Sequence, residues 1–318
     1  MSNKKYDFAW SQSLTDYTNE NTGLIATALY SAPTIGSGID ILVGQKGDVK
    51  LNTLDHDLYL QSAACGWTVS GTTNLGQVSV SVCSVDYKEA LCPKTLEPKW
   101  YGQLMAKGSN PETFPFAKFI VDNKMEVLET VVDQMFWTAD STNGSGNNAL
   151  CDGIGSFLSG ATGDVYVSGS STAYYTAGFT ATNINAAIQL MIDSVDERAY
   201  TKGDLTLYMS VANFKLYVQY LISANLYNYA QNVAGKTLEV TIPGHDIKVM
   251  GVGGLRGTTF MYLTPSSNLA FVCDSIDDGD LEMWYERGSV EVRLLGSFKF
   301  GVGVYFNDLV VHNNQNLQ

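Results

Sequence analysis

Apolar and polar positions change period several times along the chain, and each change marks an element. The clearest stretch runs from Phe116 to about Thr138. There Phe116, Phe119, Ile120, Val127, Leu128, Val131, Met135 and Phe136 recur at helical spacing. Pro115 sits where a first helical turn tolerates proline. At 1.5 Å per residue this helix would run roughly 35 Å. A second helix is predicted from Ile184, Ala187, Ile188, Met191, Ile192 and Val195, with Thr182 or Asn183 as its cap. A third follows Ser210, with Phe214, Tyr217, Val218, Leu221 and Ile222 facing inward. The strand Leu205–Met209 lies between them, completing a small α/β unit.

Elsewhere the period is two. Val78, Val80 and Val82 interleave with Ser79, Ser81 and Ser84, the pattern of a half-buried strand. Ile41–Val43 and Leu58–Leu60 are further strand candidates. The turn-forming run Ser70-Gly71-Thr72-Thr73-Asn74 places a hairpin over residues 61–83. After Lys88–Lys99 changes the chain's direction, the long helix begins. Residues 139–182 are loop-rich, with order expected at Leu150–Leu158 and Val165–Val167. From Thr237 onward short strands dominate: Leu238–Ile242, Ile247–Val249, Phe260–Leu263 and Leu269–Cys273. In the last strand, Phe298, Phe300, Val302, Val304 and Phe306 alternate with Lys299, Gly301, Gly303 and Tyr305. Residues 1–40 form a polar arm with apolar anchors at Tyr6, Phe8, Trp10, Leu14 and Tyr17, and a short helix around Gly23–Tyr30. Such an arm cannot bury its own anchors and is expected to lie on another surface.

At 318 residues and 45% hydrophobic, the chain is long and apolar enough to bury a core. It has no apolar run near the ~20 residues of a membrane span and no secretory signal, so a cytoplasmic site of synthesis is expected. The net charge of -13 removes the positive field that draws proteins to nucleic acid, and basic residues are scattered singly beyond Lys4-Lys5. Cysteines at 65, 83, 92, 151 and 273 show no CxxC pair and are expected to be buried free thiols.

Few motifs invite chemistry. Gly251, Gly253, Gly254 and Gly257 space like a nucleotide loop, but a strand follows where a dinucleotide site needs a helix, so a strand-connecting loop is expected. Asp274, Asp277, Asp278, Gly279 and Asp280 look like a calcium loop, yet Ile276 and Tyr285 occupy ligand positions, leaving an acidic turn. His56, His245 and His312 stand far apart with no nucleophile motif beside them. On the long helix, Asp122, Glu126, Glu129 and Asp133 are spaced to form one acidic stripe. That stripe is either a solvated face or a surface that meets basic groups of a neighbouring subunit; with no histidine on the helix, it is not a dimetal carboxylate site. No catalytic, cofactor-binding or metal-binding residue is assigned.

Three stretches and the closing strand carry a family resemblance. Val78–Glu97 (VSVSVCSVDYKEALCPKTLE) looks like a strand leaving an extended loop. Met125–Asp140 (MEVLETVVDQMFWTAD), followed by Leu150-Cys151-Asp152-Gly153-Ile154, is similar to a spine helix and its following Asp-Gly segment. Leu205–Leu221 (LTLYMSVANFKLYVQYL) looks like an axial-domain strand and helix, and Ser289–Val311 resembles a closing peripheral strand. In this order they resemble the major capsid proteins of tailed bacteriophages with the Hong Kong 97-type fold. The resemblance implies an α+β chain with an N-terminal arm over 1–45 and an extended β-hairpin loop with peripheral strands over 46–100. A peripheral domain with the spine helix (about 116–138) and following loop would take 101–182. An axial α/β domain would take 183–280, and strands returning to the peripheral domain 281–318.

The same resemblance implies hexameric and pentameric capsomers closing into an icosahedral shell around double-stranded DNA, within a virion assembled in the host bacterial cytoplasm. A separate scaffolding protein, a portal and decoration proteins are implied partners, without sequence-specific DNA binding, membrane or cofactor. No residue matches the Lys–Asn cross-link of some family members. Candidate contacts between subunits are Trp10, Tyr17, Lys46, Trp67, Asp122, Glu126, Glu129 and Asp133. The rival readings are an encapsulin-type nanocompartment shell, a β-rich ligand-binding protein or enzyme, and a phage tail or baseplate component.

Overall fold

The computed structural model describes residues 24–32, 34–56, 59–62, 70–92, 116–159, 165–166, 178–226, 238–274, 281–289 and 291–313. Its helices are α1 (Leu24–Ser31), α2 (Phe116–Thr138), α3 (Ile154–Ser159), α4 (Ile184–Asp193), α5 (Glu197–Lys202) and α6 (Val211–Ser223). Its strands are β1 (Asp40–Leu42), β2 (Val49–His56), β3 (Thr73–Val80), β4 (Cys83–Leu91), β5 (Val165–Tyr166), β6 (Leu205–Ser210) and β7 (Leu238–Thr241). They continue as β8 (Ile247–Val252), β9 (Met261–Pro265), β10 (Leu269–Val272), β11 (Leu281–Glu286), β12 (Glu291–Val304) and β13 (Val311–His312).

The long helix covers the predicted span. Its apolar positions bury Val121, Val132, Met135, Phe136 and Trp137 fully, while Val127 is exposed. That face packs with α1 onto one side of a sheet ordered β1-β10-β12-β11, with β4 also paired to β12. Strand β12 runs 14 residues, so its first part holds β11 and β4 while its far end holds β10. Strict alternation suits it, since one face meets the helices; Val292, Leu294, Phe298 and Phe300 are all buried there.

A second sheet, ordered β5-β13-β9-β6-β8-β7, carries α4 and α6. Strand β6 is buried at all six positions, as expected for a central strand covered on both faces. Ser210 caps α6 by accepting from the Asn213 N–H at 3.3 Å. Ile222, expected to face inward, is half exposed. Asn183 occupies the cap position of α4, but its side chain turns back to the Thr180 N–H at 2.7 Å instead of capping.

The hairpin is longer than predicted and in a different register. β2 pairs antiparallel with β3 from Val49↔Val80 to His56↔Thr73. Thr73 and Asn74 therefore belong to a strand, and Tyr59–Leu60 is not one. Their turn-like composition misled because β3 faces solvent along most of its length, where small polar residues suffice. Only its root is buried, where Leu51 and Val80 pack on Ala270 and Val272. Gly303 of β12 lies beneath that root, and a Cβ there would overlap the Val80 side chain.

Cys83 and Cys151 are joined as a disulfide with Cα atoms 5.9 Å apart, which corrects the expectation of free thiols for this pair. Cys273 stays a buried thiol, hydrogen-bonded with the Tyr30 hydroxyl at 3.4 Å. No helix among the described residues is long and apolar enough to cross a membrane.

Candidate functional site

Two places stand out: a tightly constrained, buried junction on α2 and the exposed hairpin. At the junction, Asp133 is 2% exposed. One carboxylate oxygen accepts the Thr34 N–H at 3.2 Å and the other the Gly254 N–H at 2.5 Å. Thr34 follows α1, and Gly254 belongs to the loop between β8 and β9, so one side chain ties three separate segments. One turn along the helix, Trp137 donates its indole N–H to Thr34 Oγ1 at 3.0 Å. Its ring stacks on Tyr262 (5.2 Å between centroids) and leans on Tyr208 (5.0 Å), joining the helix layer to the second sheet. Burial raises the Asp133 pKa, the Thr34 and Gly254 bonds oppose that rise, and Glu129 adds to it.

The glycine-rich run therefore connects strands, as expected, and Gly254 has a further reason to be glycine. A Cβ there would overlap the Asp133 backbone and the Trp137 ring. Gly153 plays a similar part after the helix. Its N–H donates to the Ala139 carbonyl at 2.9 Å, and a Cβ would press on the carbonyls of Met135 and Phe136. Beside it, Asp152 accepts the Ser141 N–H at 2.8 Å.

The acidic stripe ends before Asp133. Asp122 and Glu126 are exposed and Glu129 is half-buried, whereas Asp133 is covered by Thr34 and the Gly254 loop. On the neighbouring flank Lys124 pairs with Glu89 of β4 at 2.6 Å. Burial alone would raise the Glu89 pKa, but hydrogen bonds from Lys124 and Tyr87 together outweigh it and hold the carboxyl below its usual range. Lys46 is exposed near the hairpin base, where its carbonyl accepts from Lys299 Nζ at 2.9 Å; Lys299 also pairs with Asp274 at 3.0 Å. Trp10, Tyr17 and Trp67 lie outside the described residues, as do Asp277, Asp278, Gly279 and Asp280.

Away from its root the described part of the hairpin is largely exposed. Leu54 and Leu75 sit directly opposite each other, 54% and 70% exposed, and Tyr59 and Leu60 are exposed as well. An opposed leucine pair left in water is an apolar face that a partner surface could cover.

Concave surfaces offer little chemistry. A cleft of about 350 Å³ between α1 and the sheet is lined by Tyr30, Asp86, Cys273, Asp274 and Lys299 among others. Burial pushes both the Tyr30 hydroxyl and the Cys273 thiol up, away from reactive forms. His56 is exposed on β2, His245 is half-buried in the turn before β8 and bonded to the Tyr200 hydroxyl at 2.7 Å, and His312 is buried in β13. Among the described residues, no group of three or more His, Cys, Asp or Glu could hold a metal ion. Neither the Asp133 junction nor the Cys83–Cys151 pair has a sequence signal of its own; only the clustered glycines at 251–257 pointed to one side of the junction.

No protein-family model matches the chain, and none of the curated proteins matches it in sequence. Solved structures match its fold. A satellite phage P4 procapsid that includes the size determination (Sid) protein gives a TM-score of 0.56 at 12% identity, covering 92% of this chain and 98% of that one. The capsid of a native GTA particle gives 0.54 at 10% identity over 89% and 90%. A virus-like particle from Pyrococcus furiosus gives 0.53 at 8% identity over 94% and 100%. The chain therefore has the α+β Hong Kong 97-type capsid fold over most of its length.

Proposed function

We propose that this chain is the major capsid protein of a tailed bacteriophage, building an icosahedral shell from pentamers and hexamers around double-stranded DNA. The observation that carries the reading is a fold shared across about nine-tenths of the chain with capsid chains, in proportions that leave little of either chain unmatched. A hairpin with an opposed, exposed leucine pair suits a subunit that completes itself on its neighbours. On this reading α2 is the spine of a peripheral domain built on the β12 sheet. The second sheet with α4 and α6 is the axial domain near the capsomer centre. The part of the arm before α1, the hairpin and the exposed part of the acidic stripe are the surfaces offered to other subunits, with Trp10, Tyr17, Lys46, Trp67, Asp122, Glu126 and Glu129 as candidate contacts, whereas residues 24–32 and 34–42 pack into this chain's own core and sheet. Asp133 holds the subunit together internally. We assign no catalytic activity. A separate scaffolding protein and a portal, with decoration proteins where the shell carries them, are its proposed partners, and the host cytoplasm is its proposed place of assembly.

The test is electron microscopy with size-exclusion chromatography on the chain, expressed alone and with its neighbouring genes. Closed shells or rings of five and six are expected. A monomer under every condition, including co-expression with a scaffold, would discard the reading. A nanocompartment shell is the second reading, favoured by the likeness to the virus-like particle. Packaged protein in place of DNA inside the purified shells would select it.

A further inference from the structure

The Cys83–Cys151 bond sits at a mechanically chosen place. Cys83 opens β4, with two residues separating it from the end of β3, at the point where the extended hairpin joins the main sheet. Cys151 lies three residues before α3, in the segment that follows the long helix. The β4–β12 ladder begins at this corner, with Cys83 opposite Phe300, but the hairpin side of it is lightly held. The Val82 N–H donates to Asp48 at 3.1 Å, and the root cluster of Leu51, Val80, Ala270 and Val272 is small. The Cα separation of 5.9 Å lies within the range that a disulfide spans without moving the backbone.

We propose that this pair is a redox-timed staple, open as two thiols in the reducing cytoplasm and closed once the particle meets an oxidising exterior. The proposal rests on the shell reading, because only a particle that leaves the cell changes redox compartment. Cytosolic thiols are kept reduced, whereas disulfides persist on virion surfaces. Exposure assigns the order of events: Cys83 is half-buried and reachable, while Cys151 is only 3% exposed. Cys83, as thiolate after losing its proton to water, attacks a low-molecular-weight disulfide, forms a mixed disulfide and expels one small thiolate. Cys151, deprotonated in turn, displaces the second small thiolate and closes the protein bond. Two protein thiols are oxidised and one small disulfide is reduced to two thiols. Closure welds the hairpin root to the end of the spine helix, so that an interface already made by the hairpin is held at its base.

The experiment uses the full chain. Thiols are alkylated at lysis in one sample; a second is incubated with oxidised glutathione before alkylation. Both are digested without reductant and read by mass spectrometry. The proposal expects Cys83 and Cys151 to be alkylated at lysis and joined in one cross-linked peptide after oxidation. It also expects a Tm higher by on the order of 5 °C in the oxidised sample. Cys83→Ser should abolish that increment and Cys92→Ser should keep it. A cross-link already complete at lysis would overturn the timing, and a cross-link that never forms, or a Tm increment that survives Cys83→Ser, would overturn the staple. Electron microscopy of the same samples reports shell formation separately. A chain that oxidises as described but builds no shell refutes the shell reading while leaving the bond intact.

Discussion

Asp133 lies 11 residues after Asp122, about 20° apart around an ideal helix, yet one is exposed and the other buried. Angular position alone does not decide burial on so long a helix; what covers each turn does, and here it is Thr34 and the Gly254 loop. Spacing could therefore group four carboxylates but could not separate the one that holds the fold. Two outcomes follow from its surroundings. Asp133→Ala would leave two buried N–H donors unsatisfied and is expected to cost roughly 2–4 kcal/mol, measured by chemical denaturation. Asp133→Asn should change the pH profile. Because the folded pKa is raised, the native state binds the extra proton more readily than the unfolded chain. That contribution is fully present below the ordinary carboxylate value and is lost as pH rises through the folded value. The stability of the wild type relative to Asp133→Asn should therefore fall as pH climbs from the acid side toward neutrality. A flat difference would mean that Asp133 is not the titrating group.

Elements were legible where their pattern is local. The helix over Phe116–Thr138 and the alternation leading into Val304 are long enough for periodicity to fix type and extent. The hairpin was not, because register comes from pairing across strands and from what the root rests on, neither of which is local. Leu51 and Val80 reach the sheet because Gly303 leaves room above β12; a Cβ at Gly303 would overlap Val80 and approach Leu51, and one at Gly301 would press on the Ser81 carbonyl. Gly303→Val should therefore overpack the root and cost about 1–3 kcal/mol. The loss should appear as faster hydrogen exchange in 49–56 and 73–80, with the core of α2 unchanged. Equal loss of protection throughout would place the damage in β12 itself. The Cys83–Cys151 pair escaped for the same reason: two cysteines 68 apart in sequence become neighbours only once β4 and the end of α2 are packed.

At the scale of the whole molecule, cores and ties account for the two sheets and the long helix, but not for the free length of the hairpin. An arm of two strands cannot hold itself straight by its own contacts; isolated two-stranded hairpins are marginal in water. Leu54 and Leu75 add an apolar face that a lone subunit leaves in solvent. If that face is covered in the shell, replacing both leucines separates assembly from folding. In the subunit, Leu54→Ser with Leu75→Ser removes one exposed cross-strand pair, worth at most about 1 kcal/mol, so Tm should move little. In the shell the same change removes two buried side chains from every contact and should raise the concentration needed for assembly at least roughly tenfold. Sedimentation velocity across a concentration series reads that shift directly. Shells forming at the wild-type concentration would mean that the leucine face stays in water after assembly, and the hairpin would then have to reach its neighbours through its polar edge.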